Sequence, residues 1–447
     1  MAQYGGSTAS SSKRKYTKLE EEGTLSAPPP KIQKGHLSEL FVPFPVDTSV
    51  EKSRWESYYQ SQSTTNPLEI TVPRSRGWID MTMITLEYEV EFLTNDGTAI
   101  LTSANKVFPV NNTGHSLIKQ FDLKINNESV GETSESYHLK AYFARLLNHS
   151  DEEKTTWLTS EGWATDTPGK FDDTDPHLAP IPDLANNEAG TITTALNALH
   201  NRPRPNAGAS ARHKLCIAAN RKVRFVITPI IDIFQCSKYL PPGCQLDFRI
   251  RWNSPNLALM TGDPVVTAPK FRIVPNSPVL KIRHVEAQPE LHLYNETSML
   301  NHKKMAVYPC MTSRIATHTI VDGRRKTSFK NVWQGFRPNY MFIGFQEGAA
   351  FTGAYDKNVF NFKDMHQEMV RVTLDGQEIP MERIFLNSFD KVEGYETLSS
   401  FSGNMKESAS IGISRSDYKT ETTCWPLTSI LMVARITGII MDATWES

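Results

Sequence analysis

The chain has 447 residues, of which 39% are apolar and 10% aromatic, enough to form more than one hydrophobic core. It carries 48 Lys and Arg against 49 Asp and Glu, so its formal net charge is -1. A chain this balanced lacks the overall positive charge with which nucleic-acid-binding proteins usually attract their ligand. Composition therefore indicates a globular protein of two or three domains.

The first 36 residues differ in composition from the rest of the chain. Residues 1–36 are rich in Ser, Gly and Pro and contain almost no branched aliphatic residue. Such a segment buries too little apolar surface to offset the entropy lost on ordering, so we predict a disordered N-terminal arm that is no secretory signal peptide. Its basic run, Lys13, Arg14 and Lys15, is typical of a nuclear-import signal or a nucleic-acid contact. A solvated charge run is the alternative interpretation.

From residue 41 onward the pattern is that of antiparallel β-structure. In ITLEYEVEF (84–92), Leu86, Tyr88 and Val90 alternate with glutamates, which is typical of a strand with one buried face. Further predicted strands are KVRFVITPI (222–230), KFRIV (270–274), VLKIRHV (279–285), SRIATHTIV (313–321), NYMFIGF (339–345) and SILMVARITGIIM (429–441). The last is too short to span a bilayer and is interrupted by Arg435. Frequent Pro and Gly, with no alternation of strands and helices, favour a sandwich or jelly roll.

One hairpin design occurs twice, about 250 residues apart. In HSLIKQFDLKINNESVGE (115–132), an alternating strand reaches a turn at Asn126-Asn127. In FKDMHQEMVRVTLDGQEIP (362–380), a second strand reaches a turn at Asp375-Gly376. The apolar residues in matching phase are Phe121, Leu123 and Ile125 in the first copy and Val370, Val372 and Leu374 in the second. The repeat predicts two related domains.

A helix is predicted after each hairpin. In SYHLKAYFARLLNHSDEE (136–153), apolar residues recur at helical spacing and form one stripe, which comprises Leu139, Tyr142, Phe143, Leu146 and Leu147. The segment FLNSFDKVEGYETLSSFSG (385–403) has a weaker stripe, made of Tyr395, Leu398 and Phe401. The shared order of strand, turn, strand and helix strengthens the inference of a duplication.

The repeat also sets the expected domain boundaries. We expect a first β domain over residues 37–285 and a second over 286–447, joined by a linker near 285–300. The segment 165–212 is polar and too long for an ordinary connection, so we expect a long surface loop of the first domain there.

The sequence contains no recognisable catalytic or metal-binding motif. Its five cysteines form no Cys-X-X-Cys pair, which indicates free, mostly buried thiols in a reducing compartment. They are Cys216, Cys236, Cys244, Cys310 and Cys424. We therefore predict no enzyme activity, no cofactor and no metal.

Two groups of polar residues still deserve an interpretation. The segment 170–177 gathers Asp172, Asp173, Asp175 and His177, but it lacks the glycine and terminal glutamate of a calcium loop. A solvated acidic loop is therefore favoured over a cation site. His115 and His366 each precede a copy of the hairpin, and structural inheritance is favoured over a shared pH-sensing role.

Several blocks of the sequence resemble one protein family. The segments FPVDTSVEKSRWESYY (44–59), NPLEITVPRSRGWIDMTMITLEYEV (66–90) and ISRSDY (413–418) are similar to the double jelly-roll major capsid proteins of Polinton/Maverick elements, adintoviruses and related adenovirus-like DNA viruses. The segment AFTGAYDKNVFNFKDMHQEMVRVTLDGQEIP (350–380) carries the most specific resemblance. Its matching residues are Gly353, Tyr355, Lys357, Asn358, Phe360, Phe362, Val372, Asp375, Gly376 and Gln377.

The resemblance implies a fold and a function. It implies an all-β chain of two tandem jelly rolls, each with a helix inserted between strands. Three such chains form a hexon-like, pseudo-hexameric homotrimer that tiles an icosahedral shell and contacts neighbouring capsomers and minor or penton proteins. The expected location is the virion capsid, with assembly in the host nucleus or cytoplasm and no membrane insertion. The arm is expected to make weak contacts with the genome or internal proteins.

The end of the chain departs from this family. After Tyr418 a further hairpin is expected before the last strands, yet only 29 residues remain (419–447). The second barrel is therefore lean, or the chain is a shortened or domesticated copy derived from a transposon. Two alternatives remain open beside the major capsid protein: a minor capsid or penton subunit, and a carbohydrate-binding β-sandwich.

Overall fold

A computed structural model describes residues 49–61, 66–97, 105–130, 135–177, 205–217, 222–263, 271–303, 305–321, 327–330 and 340–363, together with short strands at 369–370, 373–374, 377–378, 384–385 and 432–437. All of these elements belong to one compact unit, Ser49–Ser447. Within the described residues, no helix is long and apolar enough to cross a membrane.

In the part of the chain that the structure describes, ten strands make up the first β region. They are β1 (Val50–Tyr59), β2 (Leu68–Val72), β3 (Trp78–Thr94), β4 (Val107–Pro109), β5 (Ile118–Ile125), β6 (Glu128–Ser129), β7 (Val223–Ile227), β8 (Leu246–Trp252), β9 (Leu259–Thr261) and β10 (Phe271–Ala287). Eight of them form two antiparallel sheets, with the orders β1-β10-β3-β7 and β2-β8-β5-β6. The short strands β4 and β9 pair with each other.

The strand order of these two sheets identifies their topology. Counted along the chain without β4 and β9, the eight strands are arranged 1-8-3-6 in one sheet and 2-7-4-5 in the other. Along the chain, the first four strands alternate between the two sheets, and so do the last four. This is the arrangement of a two-sheet, eight-stranded jelly roll. The first β region is therefore a jelly roll.

Its core follows from the alternation seen in the sequence. Leu86, Tyr88 and Val90 of β3 are buried as predicted, between the two sheets. The ring of Tyr88 lies 5.1 Å from that of Trp252 at the end of β8, across the inter-sheet space. On the opposite face of β3, Glu87 is also buried, because Lys281 lies 2.6 Å from its carboxylate and Arg224 contacts it as well.

The helices lie at the ends and sides of the sheets. They are α1 (Thr113–Ser116), α2 (Tyr137–Asn148), α3 (Asp151–Thr155), α4 (Ala207–Cys216), α5 (Pro255–Ala258), α6 (Pro289–Leu300) and α7 (Gly348–Thr352). The helix predicted after the first hairpin is confirmed as α2, and its apolar stripe is buried. The helix predicted over 385–403 lies outside the described residues. The expected linker near 285–300 contains a regular helix, α6, directly after β10.

The second β region repeats parts of the first. Its strands are β11 (Met311–Ala316), β12 (Tyr340–Phe342), β13 (Met369–Val370), β14 (Thr373–Leu374), β15 (Gln377–Glu378), β16 (Ile384–Phe385) and β17 (Met432–Thr437). The last strand, β17, lies between β11 and β12, as β10 lies between β1 and β3. The prediction of a strand within 429–441 is confirmed by β17.

The repeated hairpin is confirmed in both copies. In the first, Ile125 faces Glu128 across the turn at Asn126-Asn127, whose positive φ values of 49° and 69° match a tight hairpin turn. In the second, Leu374 faces Gln377 across Asp375-Gly376. The two hairpins therefore share the same register and the same turn length.

Candidate functional site: the seam between the two β regions

Residues 342–363 of the second β region pack against the first, and we call this contact the seam. Backbone contacts begin at Gly353, whose carbonyl accepts a hydrogen bond of 2.9 Å from the Asn256 side chain. Gly353 has a φ of +94°, and a Cβ there would lie 3.0 Å from Leu257. Only glycine fits this close approach without strain. Two residues on, the Tyr355 carbonyl accepts a 2.8 Å hydrogen bond from the Thr261 amide.

Asn358 fixes the middle of the seam from a fully buried position. Its backbone amide donates to Asp172 Oδ1 at 2.9 Å, and its side-chain Nδ2 donates to the Phe171 carbonyl at 3.2 Å. Its Oδ1 accepts a 2.9 Å hydrogen bond from the Phe360 amide. Because buried polar groups must be paired, this side chain specifies one arrangement of the two segments.

An aromatic stack forms the apolar centre of the seam. The ring of Phe360 lies 4.0 Å from that of Tyr142 on α2, with an angle of 9° between the planes. Tyr142 is in turn stacked on Trp163 at 5.5 Å, and Phe143 of α2 lies 5.2 Å from Phe362. The predicted apolar stripe of α2 therefore packs against the motif of the second region.

Four charged side chains close the edge of the seam. Lys363 lies 3.0 Å from Asp172 and 2.5 Å from Glu347, and Lys357 lies 3.0 Å from Glu347. The hydrogen bond from Lys363 is the main reason why the pKa of Glu347 lies below its usual value. Two carboxylates and two ammonium groups thus neutralise one another, and Asp172 is part of this network rather than of a solvated loop.

The remaining residues of the predicted acidic loop lie beside the seam. Lys106 pairs with Asp175 at 2.5 Å, and Asp175 Oδ1 accepts a 3.0 Å hydrogen bond from the His177 amide. The Asp173 carboxylate accepts from the Asp175 amide at 3.1 Å. In the part of the chain that the structure describes, no group of three or more His, Cys, Asp or Glu side chains is placed to hold a metal ion.

A second polar contact joins α2 to the first strand of the second region. Lys140 lies 2.7 Å from Asp232, which is buried. The same carboxylate accepts hydrogen bonds from the Ser313 hydroxyl at 3.2 Å and the Ser313 amide at 3.3 Å. Asp232 therefore ties β11 to the first β region at a point remote in sequence from the motif.

A buried ionic cluster supports α2 from behind. Glu161 receives two hydrogen bonds of 2.7 Å from Arg145 and lies 3.2 Å from His115, whose other ring nitrogen lies 3.0 Å from the Tyr137 hydroxyl. Burial alone would raise the pKa of Glu161, but the charge and hydrogen bond of His115, the charge of Arg145 and a hydrogen bond from the Thr228 amide lower it to about 2. Burial lowers the pKa of His115. His115 thus has a structural role, while its counterpart His366 lies outside the described residues.

The two described ends of the predicted surface loop are held inside the protein. Arg212 of α4 is buried and donates to Asp166 at 2.5 Å and to the Pro109 carbonyl at 2.8 Å. Asn206, also buried, donates to Asp166 at 2.8 Å. The middle of that segment, 178–204, lies outside the described residues.

Of the other residues singled out in the sequence, some lie in the described part of the chain and others lie outside it. Cys216, Cys236, Cys244 and Cys310 are buried, as predicted, and none of them forms a disulfide with another described cysteine. Cys424 and the basic run Lys13, Arg14 and Lys15 lie outside the described residues. Glu161, Asp232 and Arg212 had no sequence signal, because a single charged residue in a loop or short helix carries no periodicity.

Comparison with known proteins gives distant similarities. No protein-family model matches the chain. An uncharacterised protein of Caenorhabditis elegans is 23% identical over 347 residues, which covers 75% of this chain and 73% of that protein.

Among solved structures, similar chains include those of viral capsids. The Sputnik virophage structure gives a TM-score of 0.41 at 10% identity, covering 67% of this chain and 59% of that one. The PBCV-1 virus capsid gives 0.40 at 12% identity, covering 89% and 86%. The mavirus major capsid protein gives 0.27 at 12% identity, covering 67% and 57%. The chain thus spans less than two thirds of the Sputnik and mavirus chains, and TM-scores below 0.5 do not by themselves assign it a function.

Proposed function

We propose that this protein is the major subunit of an icosahedral viral shell, built from two tandem jelly rolls. The observation that carries the proposal is the 1-8-3-6 and 2-7-4-5 strand order of the first β region. The second β region supports a second jelly roll, because it repeats the central last strand and the hairpin register. The sequence resemblance of residues 353–377 to capsid proteins of Polinton/Maverick elements and adintoviruses supports the same assignment.

The seam gives the proposal a physical basis. Two barrels in each of three chains make six near-equivalent corners, provided that each pair of barrels keeps a fixed geometry. The Phe360–Tyr142 stack, the buried Asn358 and the Asp232 contact supply that rigidity. Most residues of the motif that carries the resemblance therefore have a stated role, which is to hold the two barrels together.

Such a subunit acts by association and needs no active site. Obligate oligomer interfaces commonly bury on the order of 2,000 Å2 or more, and weak contacts between trimers are multiplied over a shell. The formal net charge of -1 is compatible with close packing of many copies. The partners proposed are two further copies of the chain, neighbouring capsomers and minor or penton proteins, and the basic run 13–15 is proposed to contact the genome or internal proteins.

The mass of the protein in solution tests this function. We expect a stable species of about 150 kDa, three times the 50.4 kDa of one chain. Sedimentation equilibrium over a hundredfold range of concentration measures it. A monomer at every concentration would contradict the shell subunit and favour a domesticated copy that has kept the fold without the assembly.

A further inference from the structure

Among the described residues, the first sheet ends in a long unpaired edge, formed by β1. This strand has ten residues and pairs with β10 on one side, and no strand of the described residues pairs with its other side. Its outward face carries Trp55, 53% exposed, and Tyr59, 66% exposed. An edge of this length offers a row of backbone donors and acceptors to another strand, a hazard that proteins usually block with charged residues, prolines or bulges.

The charges on β1 are ordered so that they favour pairing with the same strand of a second copy. A two-fold axis normal to the sheet makes the two strands antiparallel and keeps facing residues on the same side. If the axis passes through Trp55, Trp55 faces Trp55, and Arg54 of each copy faces Glu56 of the other. Glu51 then faces Tyr59, Lys52 faces Tyr58, and Ser53 faces Ser57. Every charged side chain of the strand faces an opposite charge or an uncharged residue.

Neighbouring registers of the same symmetry are less favourable. Moving the axis to Arg54 places Arg54 opposite itself, and moving it to Glu56 places Glu56 opposite itself. An axis at Ser53 brings Lys52 opposite Arg54. Like charges facing each other directly across strands are destabilising. An axis at Ser57 avoids them but pairs only residues 55–59 of the strand, whereas the register centred on Trp55 pairs residues 51–59 and places Arg54 opposite Glu56.

The local surroundings of the strand are also charge-balanced. Arg54 donates to Glu56 at 2.7 Å and to Glu286 of β10 at 3.2 Å, and Lys52 lies 3.0 Å from Glu286. Two cations and two carboxylates thus occupy this stretch of the edge. The edge therefore does not repel a second copy by net charge, and Arg54 and Glu56 of each copy can pair with Glu56 and Arg54 of the other.

We propose that β1 pairs with β1 of a second copy about a two-fold axis through Trp55, joining two β1-β10-β3-β7 sheets into one of eight strands. The inference goes beyond the proposed function, since a two-fold contact cannot arise within a single trimer. In a shell it joins chains of adjacent trimers, and it holds equally for a chain that does not form trimers.

Cysteine crosslinking tests the register directly. Facing Cα atoms of an antiparallel pair lie about 4.5–5.5 Å apart, which is compatible with a disulfide. Full-length Trp55→Cys is therefore expected to form a covalent dimer on mild oxidation, at about 100 kDa in a non-reducing denaturing gel, twice the 50.4 kDa of one chain. Ser57→Cys is the matched control, because the two Ser57 positions are offset by four residues, roughly 13 Å. Equal crosslinking of both variants would overturn the register.

A charge exchange tests the complementarity. Arg54→Glu places glutamates opposite each other, and Glu56→Arg places arginines opposite each other, so each variant alone is expected to associate at least 10-fold more weakly than the unaltered chain. In an equimolar mixture of the two, every facing pair has opposite charges again, and association should return. Sedimentation velocity measures the fraction of chains in species that this contact joins, and circular dichroism verifies that both variants fold.

The outcomes separate this inference from the proposed function. A 150 kDa species that persists in both charge variants, while larger species disappear, supports both. A mass unaffected by either charge variant, with no crosslink through position 55, overturns the β1 contact and leaves the trimer untouched.

Discussion

Phe360 is the side chain with the closest aromatic contact across the seam, and its loss should destabilise the protein strongly. Its ring is buried and lies 4.0 Å from Tyr142. Phe360→Ala removes this contact and leaves a cavity, so we expect the free energy of unfolding to fall by about 3–5 kcal/mol. Urea denaturation followed by circular dichroism measures the change.

A second phenylalanine provides a matched control for this prediction. Phe351 on α7 is 40% exposed and lies only nine positions earlier. Phe351→Ala should change the free energy of unfolding by no more than about 1 kcal/mol. Equal losses in the two variants would mean that the stack of Phe360 on Tyr142 does not hold the seam together.

The sequence identifies single residues of the seam, but it does not predict which residues they contact. Asn358 and Phe360 stood out through the family resemblance alone. Their partners, Asp172 and Tyr142, lie about 190 and 220 residues earlier, and local spacing carries no information about contacts of that range. Local spacing therefore favours a solvated loop for Asp172, whereas in the structure two lysines of the second β region hold it in place.

At the scale of elements, periodicity was most informative where one face is buried. The alternation in β3 and the stripe of α2 both predicted the buried residues. Helix α6 was missed, because its apolar residues Leu291, Leu293 and Tyr294 are all exposed and form no inward stripe. Its signal was instead Pro289 at the first helical position, which favours a helix start but does not establish its length.

Helix α2 allows a test at the same scale. Leu146 lies in the stripe that packs against the seam and is buried. Leu146→Asp places a carboxylate in that apolar contact, so we expect a loss of 3 kcal/mol or more, about the cost of burying an unpaired charge, and a corresponding drop in soluble yield. Thermal unfolding by circular dichroism is the measurement.

The control for this variant lies two positions along the same helix. Asn148→Asp adds the same negative charge at an exposed site near the C-terminal end of α2. There the helix dipole makes a carboxylate unfavourable by only about 0.3–1 kcal/mol. A Leu146→Asp protein as stable as Asn148→Asp would show that the stripe of α2 does not pack against the second β region.

At the scale of the whole molecule, the sequence indicated a duplication but not the strand order. β1 pairs with β10, so residues more than 200 positions apart lie side by side. Strands of similar composition can be arranged in several orders, and only the complete set of strand pairings distinguishes a jelly roll from another sandwich. The hairpin repeat constrained the second β region because its turn length fixes its register, independently of distant contacts.

Buried histidines should make the stability of the whole molecule dependent on pH. Burial lowers the pKa of His138 to about 3, with a smaller contribution from the charge of Lys119, and burial lowers the pKa of His115 as well. The unfolded chain therefore binds more protons than the folded one below the ordinary histidine pKa of 6.5. The buried histidines therefore do not reduce the free energy of unfolding above that pH, and they reduce it increasingly as the pH falls below it. The carboxylate of Glu161 extends the loss in the same direction, from about pH 4.5 towards 2.

This acid sensitivity has a magnitude that urea denaturation can check. One pH unit below 6.5, keeping His138 neutral in the folded protein costs about 1.4 kcal/mol, so we expect the free energy of unfolding to fall by at least about 1 kcal/mol between pH 7.5 and 5.5. His138→Gln should have a smaller difference between the two pH values, whatever its stability at pH 7.5. His302→Gln, at an exposed position after α6, should leave the difference unchanged. If His138→Gln retains the full pH dependence, protonation of His138 does not oppose folding, and its burial in the first turn of α2 does not make the protein sensitive to acid.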